Sequence, residues 1–464
     1  MNLFNKMYFA NSLDAFIPEF WANESLAVLE ENLVATNLVY RDFENKLAKM
    51  GDTVNCQRPN RFTPVRKDLT DNVTVQDATA ESVPVILNQH LHTSFLIRDG
   101  EESKSNRSLI EEYIKPAMNG NARFLDAMVL GQYGSFIGNN AGKLQGQNSS
   151  TSKGYLIDLR KVTNDLLWPD VTKPLVHTTA SEAALLNTDL FVSAEKVGDN
   201  GTALREASLG KKFGFSNLLS QQQGYVIAGQ TTRVGAINNS GGYAKGTTGA
   251  LVIDGFTGTL VVGSFIDLDG IPYRVTATTA TLGNATGMTL DRALSAAVAD
   301  NAVITVYTPG AINFGAGYAA GYSKELTIDG FSAGKGPQKG QMISIGAATG
   351  STWPIYTVMA VNGVVGITLD RPLEAAVADN DIVAIGPVGS YNFSFLRDAI
   401  ALVVRPLATP RAGTGALSSV VNFNNLSMRA TITYDGNKQG HLVTLDFLCG
   451  IKVLDSTFGA VMFG

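Results

Sequence analysis

The apolar positions of this chain change period several times along its length. Between residues 24 and 49, Leu26, Leu29, Leu33, Val34, Leu38 and Leu47 recur at helical spacing, and Gly51 is placed to stop the helix they predict. From Asp52 to Ile97 the pattern turns extended, with Arg58, Arg61, Arg66 and Lys67 gathered near Pro59 and Pro64. This predicts a long two-stranded projection with a basic tip, either a solvated hairpin or a contact to another subunit. Ser108-Leu109-Ile110-Glu111 forms a capping box, in which a serine oxygen and a glutamate three residues on each satisfy a free backbone N–H. The long helix it opens continues through Ile110, Ile114, Met118, Leu125, Met128 and Val129 towards Phe136, with kinks expected at Pro116 and Gly120. Residues 138–154, rich in Gly, Asn, Ser and Gln, read as a loop. A second capping box, Thr179 to Glu182, precedes a mixture of short helix and strand from Asn187 to Phe215.

Strict alternation marks the far end. Met428, Ala430, Ile432 and Tyr434 alternate with Arg429, Thr431 and Thr433, and a turn follows at Asp435-Gly436-Asn437. Val443, Leu445, Phe447, Cys449, Ile451 and Val453 then alternate again, so two antiparallel strands are expected with Cys449 as a buried structural thiol.

The middle of the chain repeats itself. Ala236-Ile237-Asn238, Tyr243 and Ile253-Asp254-Gly255-Phe256 match Ala311-Ile312-Asn313, Tyr318 and Ile328-Asp329-Gly330-Phe331 at a constant offset. Thr289-Leu290-Asp291-Arg292 and Ala296-Ala297-Val298-Ala299-Asp300-Asn301 match Thr368-Leu369-Asp370-Arg371 and Ala375-Ala376-Val377-Ala378-Asp379-Asn380 at a slightly larger one, so the second copy carries a net insertion. Identical blocks in the same order indicate tandem duplication of a small all-β barrel or sandwich.

This duplication changes how the composition reads. Of 464 residues, 47 are glycine and only 17% are charged, and residues 225–390 hold 26 of the glycines but just 19 charged residues, 8 basic and 11 acidic. With 36 basic and 41 acidic residues overall, the net charge of −5 gives no strong electrostatic footprint for sequence-specific nucleic-acid binding. The two cysteines, Cys56 and Cys449, cannot make a disulfide framework. No run of 18 apolar residues exists and the first residues lack a basic-then-apolar pattern, so a soluble, unexported protein is expected.

Catalytic templates find no match. The duplicated region has no His or Cys, which removes zinc and thiol chemistry from both copies. Asp267-Leu268-Asp269-Gly270 lacks the spaced oxygens of a calcium loop and reads as a turn. The four histidines are His90, His92, His177 and His441. His90 and His92 share one strand face without an evident third metal ligand, and His177 near Ser181 and Glu182 does not make a triad. Gly142-Lys143, Gly210-Lys211 and Gly334-Lys335 lack the rest of a phosphate-binding loop, and Gly315-Ala316-Gly317 does not continue into a dinucleotide fingerprint because position 320 is alanine. No catalytic, cofactor-binding or metal residues are assigned and no cofactor is expected, which leaves a structural or interaction role.

Several segments, taken in order, resemble the major coat proteins of tailed bacteriophages, in the variety that carries an inserted β-domain. They are Val83-Pro84-Val85-Ile86-Leu87-Asn88-Gln89-His90 leading into Phe95-Leu96-Ile97-Arg98-Asp99; Gly198-Asp199-Asn200-Gly201 with Leu209-Gly210 and Phe213-Gly214-Phe215; Phe393-Ser394-Phe395-Leu396-Arg397-Asp398-Ala399-Ile400-Ala401-Leu402 with Arg405-Pro406-Leu407; and Asp446-Phe447-Leu448-Cys449-Gly450. The resemblance implies an α+β coat-protein fold. Its parts would be an N-terminal arm (1–51), an extended loop (52–105), a peripheral domain with a spine helix (106–174, helix 106–137), an axial domain (175–224 and 391–424), and peripheral β-strands (425–464). The insertion, 225–390, would hold repeats 236–310 and 311–389. The family's inserted domain is usually one barrel, so the second copy casts doubt on a purely intramolecular folding role and favours a surface or subunit-bridging one.

The resemblance further implies a non-enzymatic capsid subunit that self-assembles through pentamers and hexamers into an icosahedral shell around phage DNA. Its partners would be itself, a scaffolding protein and portal during assembly, and packaged double-stranded DNA held non-specifically, with a decoration protein left open and no membrane. It would be assembled in the host bacterial cytoplasm and reside in the virion capsid. Arg58, Arg61, Arg66 and Lys67 on the loop, with Glu30, Glu31, Glu101 and Glu102 as acidic counterparts, are the subunit-contact candidates. An encapsulin-like protein storage shell and a phage tail or adhesion protein are the alternatives.

Overall fold

The computed structural model describes residues 16–31, 33–41, 49–57, 64–70, 72–73, 75, 82–98, 113–197, 202–226, 232–258, 260–281, 283–331, 334–347, 353–363, 365–411, 415–423 and 426–464. Among the described residues the fold is α+β: two large open sheets and a separate two-stranded one, helices packed on them, and two closed six-stranded barrels inserted into one of the large sheets.

The N-terminal helix runs Phe16–Glu31, not 24–49. What ends it is Asp126, a buried carboxylate on the central helix. Asp126 accepts the backbone N–H groups of Val34 at 2.8 Å and Thr36 at 2.9 Å, and the Thr36 hydroxyl at 2.7 Å. Amides bound to a carboxylate some 90 residues away cannot also extend a helix. A 3-10 turn at Thr36–Leu38 follows, and Gly51, expected as the stop, instead sits in the turn before the first strand.

The central helix is α-helical over Lys115–Leu130 and tightens into a 3-10 helix over Gly131–Phe136; the capping box Ser108–Glu111 lies outside the described residues. Pro116 is in the first turn, where its missing N–H costs nothing, and Gly120 lies inside an uninterrupted helical run, so neither is a kink. Met118, Ala122, Leu125 and Val129 form its buried stripe. The segment expected as loop over 138–154 contains a two-residue strand, Asn140–Ala141, and the start of an unforeseen helix, Ser152–Asp165, which buries Leu156 and Leu159. The helix Thr179–Leu186 is capped by Thr178, whose hydroxyl accepts the Ser181 N–H, one residue earlier than the capping box predicts.

One sheet is built on Gly389–Phe395, buried along its whole length between Gly459–Phe463 and Lys173–His177. The other has the alternating hairpin Leu426–Asp435 and Gly440–Val453 at its centre, flanked by Leu417–Phe423, Ile400–Arg405 and Gln89–Arg98. The extended stretch 52–97 is therefore divided. Thr53–Gln57 pairs with Ser82–Ile86 as a hairpin arm, and Gln89–Arg98 leaves it to join the second sheet.

The insertion leaves and returns through paired strands, with Val226 opposite Gly389. Barrel one comprises Thr232–Ile237, Leu251–Asp254, Phe265–Leu268, Ile271–Thr281, Asn284–Leu290 and Val303–Tyr307. Barrel two comprises Gly310–Ile312, Leu326–Asp329, Met342–Gly346, Ile355–Asn362, Gly366–Leu369 and Ile382–Ile385. The strand order is the same in both, so the duplication is one of structure as well as of sequence. The second copy's extra length is placed at a hairpin. The Asp269-Gly270 turn of barrel one, with φ of +52° and +79°, is replaced by the eight residues 347–354. Trp353, from that longer connection, wedges between the barrels so tightly that a Cβ on Gly263 of barrel one would lie 2.2 Å from its ring.

Each copy of the repeated Asp-Arg block serves the same purpose inside its barrel. Asp291 accepts the Arg274 N–H at 3.0 Å and Asp370 the Thr357 N–H at 2.7 Å, while Arg292 and Arg371 lie over Tyr273 and Tyr356 at 4.5 and 4.7 Å. Only barrel two seats its block on the end of the central helix. Gln132 Nε2 donates to Asp370 Oδ2 at 2.9 Å, Thr357 Oγ1 to the Gly131 carbonyl at 2.8 Å, and Tyr133 Oη to the Gly340 carbonyl at 3.1 Å. Gly134 permits this approach, since a Cβ there would meet Ile355 Cγ2 at 2.7 Å. Barrel one touches the following residues, with Asn140 Nδ2 donating to Ser295 Oγ at 3.0 Å. The double barrel is thus fastened to its own chain.

Because Asp370 is completely buried and paired with Arg371 at 2.9 Å, Asp370→Ala should cost about 3–5 kcal/mol. Asp291→Ala, at the matching but partly exposed pair, should cost clearly less. Denaturant midpoints of the two variants check this, and equal losses would mean that the helix end contributes nothing to the second site.

Candidate assembly surface

The arm is anchored at its base and uncovered beyond it. Cys56, Val85 and Leu87 pack against Ala401, Val403, Leu448 and Leu454 on the back of the second sheet. This is why residues 445 to 451 of the long strand are buried on both faces where a one-sided alternation was expected. Further out, Val65, Leu69, Val73 and Val75 are all more than half exposed, and Leu69 is fully so. Isolated apolar residues on a surface need no explanation, but four large aliphatics along one segment leave an apolar surface that, among the described residues, has no covering partner.

Arg66 and Lys67 are exposed on this same segment. Arg58, Arg61, Glu101 and Glu102 lie outside the described residues, and Glu30 and Glu31 close the N-terminal helix with side chains that do as well.

A cleft of about 620 Å³ opens beside the arm's base. Pro84 and Ile86 of the arm, Gln132 of the helix end, Leu373 and Glu374 of barrel two, and Lys452 of the long strand line it. Its walls come from four separate elements, so only the folded chain creates it.

The two strand histidines do share a face, with rings 6.0 Å apart. The residue beside them that sequence reading missed is Asp446: its Oδ2 is 3.0 Å from His90 Nε2, and its Oδ1 accepts Arg429 Nε at 2.9 Å. The guanidinium of Arg429 already occupies this carboxylate, and His92 Nδ1 faces only the Ser94 hydroxyl at 3.4 Å. Among the described residues no group of three or more His, Cys, Asp or Glu is arranged to hold a metal ion.

His177 and Ser181 are core residues. His177 Nε2 meets Asn217 Oδ1 at 2.8 Å, while the Ser181 hydroxyl donates to Gln147 at 2.6 Å and accepts from Asn392 at 2.7 Å. Both cysteines are free and buried, and burial pushes the Cys56 thiol up to about 11 and the Cys449 thiol up to about 12, so neither is a thiolate at neutral pH. Asp126 and Asp370 carry more of the structure than any residue singled out for function. Asp126 could have been noticed as the one carboxylate in an apolar helical stripe, and Asp370 as part of a block retained in both repeats.

No family model and no curated protein matches the chain. Among solved structures it is similar to one from Mycobacterium phage Che8, at 12% identity over 93% of this chain and 90% of that one, with a TM-score of 0.39. It is also similar to the capsid of cyanophage P-SCSP1u, at 8% identity over 90% and 84% with a TM-score of 0.39. A third is the mature capsid of bacteriophage PhiM1, at 7% identity over 92% and 86% with a TM-score of 0.38.

Burial pushes the His177 imidazole down to about 4 against the raising influence of Asn217, while the unfolded value is near 6.5. Stability from this group is therefore complete above pH 6.5 and falls as the pH drops towards 4, by about 3 kcal/mol in all. His177→Gln should remove that slope. Unfolding free energies of wild type and variant across this window provide the check, and parallel curves would show that His177 does not titrate as a buried neutral base.

Proposed function

We propose that the chain is a major capsid protein of a tailed phage, a shell subunit that works by association with copies of itself. The observation that carries this is the arm: a two-stranded base clamped to its own sheet, and beyond it exposed aliphatic and basic side chains that no described residue of the same chain covers. A projection of this composition is stable in water only at a cost unless it lies on another molecule, and in a homo-oligomer one such contact repeated by symmetry closes a shell. The order of parts agrees: an N-terminal segment pinned by Asp126, an arm, a central helix, and two sheets with the barrels set into one.

On this reading the subunits form pentamers and hexamers of an icosahedral shell enclosing double-stranded DNA, assembled in a bacterial host with a scaffolding protein and portal. The DNA contact would be non-specific, in keeping with a net charge of −5. The cleft beside the arm's base is the seat we assign to a neighbour's arm tip. Its Glu374 and Lys452 complement Arg66 or Lys67 and Asp68, and its Ile86 and Leu373 offer apolar wall to Leu69. No catalytic step is assigned; Ser181 and His177 are both committed to core hydrogen bonds.

Electron microscopy of the protein expressed with its scaffolding partner should show closed shells. Leu69→Asp combined with Val73→Asp should leave the subunit folded, with unchanged circular dichroism and melting temperature, yet reduce shell yield at least tenfold. Shells of normal yield and stability from that variant would remove the arm from the contact. Fibres or tubes from the wild type would favour the tail or adhesion reading, and shells filled with protein cargo and free of DNA the storage one.

A further inference from the structure

Barrel one meets the core a second time, away from the helix end where barrel two is seated. The Leu144 N–H donates to the Gly270 carbonyl at 2.7 Å, and Lys143 Nζ lies 2.6 Å from Asp269 Oδ2. Both members of that ion pair are about half exposed, so it contributes little by itself. Tyr307 of barrel one adds one longer bond, accepting the Val388 N–H at 3.3 Å.

Asp267 lies in the strand leading into this contact. The titratable and charged groups bearing on it are Asp269 in the adjoining turn, Lys143 on the core segment, Tyr307 on its own barrel, and Tyr391 on the core sheet. Its Oδ1 is buried and has no hydrogen-bond partner. The sister barrel offers a built-in comparison. Asp267 stands opposite Pro272 and Thr305, and the residue in the matching register of barrel two, opposite Ile355 and Ala384, is Ser344. Ser344 is uncharged and fully engaged, accepting Arg274 Nη1 at 3.1 Å and donating to the Pro354 carbonyl at 3.1 Å. One barrel therefore carries an ionisable, half-satisfied group at its contact with the core, and the other carries a satisfied hydroxyl at the same place.

We propose that the contact of barrel one with residues 143–144 is a proton-gated latch: closed when Asp267 holds a proton, loosened when Asp267 ionises, with barrel two remaining seated throughout. Burial pushes the Asp267 carboxyl up to about 6, outweighing the Gly270 N–H and Lys143, which pull it down. Release removes the share of that burial supplied by the core and moves the carboxyl down, at the limit to its ordinary value of 3.8. Between those values the docked form binds more protons than the open form, so docking tightens as the pH falls through 6 and saturates near 4. Each unit of difference is a tenfold change in the docking equilibrium, about a hundredfold in all.

The latch can be read at single amides of the full chain by hydrogen exchange, with rates expressed as protection factors to remove the intrinsic pH dependence. Protection of the Leu144 amide should rise by about twentyfold to thirtyfold between pH 7.5 and 4.5, while that of Thr357, at the seat of barrel two, stays level. Asp267→Ser, which installs the sister barrel's residue, should abolish the rise. Asp267→Asn should do the same and serves if the serine variant does not fold. A flat Leu144 profile in the wild type, the same rise in either variant, or a parallel rise at Thr357 would each overturn the proposal.

Discussion

Asp370 joins three separate parts of this molecule. Burial pushes its carboxyl up, and the Arg371 guanidinium, the Thr357 amide and Gln132 hold it in place. Its own carbonyl accepts Gln89 Nε2 at 3.2 Å, from the strand that links the arm to the second sheet. Barrel, helix end and arm strand thus meet at one residue. A buried carboxylate this well satisfied specifies a single arrangement, because any other packing would strand charge away from water. The glycines at 131 and 134 complete the constraint, since only residues without a Cβ allow the barrel to come this close.

From that junction the subunit's division into fixed and uncovered parts follows. The arm's base is fixed because its apolar residues fill the back of a sheet whose front is already packed on helices. Among the described residues, the far part of the arm has no such partner. A rigid base with an uncovered tip is what the proposed association with other copies would use. The double barrel adds stiffness at the same place, fastened at one end by buried bonds and at the other by a contact that a single proton can alter.

Much of the fold was legible in residue order. The duplicated barrels were visible as repeated blocks, and the C-terminal hairpin as strict alternation, because both signals are local and survive without knowledge of neighbours. Helix limits were not. Leu33, Val34 and Leu38 keep helical spacing past residue 31, but the Asp126 carboxylate removes their amides from the helix. Gln89–Arg98 likewise reads as a continuation of the arm, and joins another sheet only because Gly440–Val453 presents an edge to it. Of the candidate contact residues, Arg66 and Lys67 are exposed on the segment between the arm's two strands.

The amino-acid sequence by itself determined the class of the fold, the two-fold repetition of its insertion, the antiparallel hairpin of residues 426–453, and the basic, proline-bordered arm. These depend on periodicity and on short-range turn chemistry, which a chain carries in its residue order. Only the tertiary structure decided that the two copies are unequal, one seated on a helix end and the other closed over a titratable aspartate. Identical blocks acquire different burial and different partners once they are placed against different surfaces, and burial and partners are properties of the packed molecule.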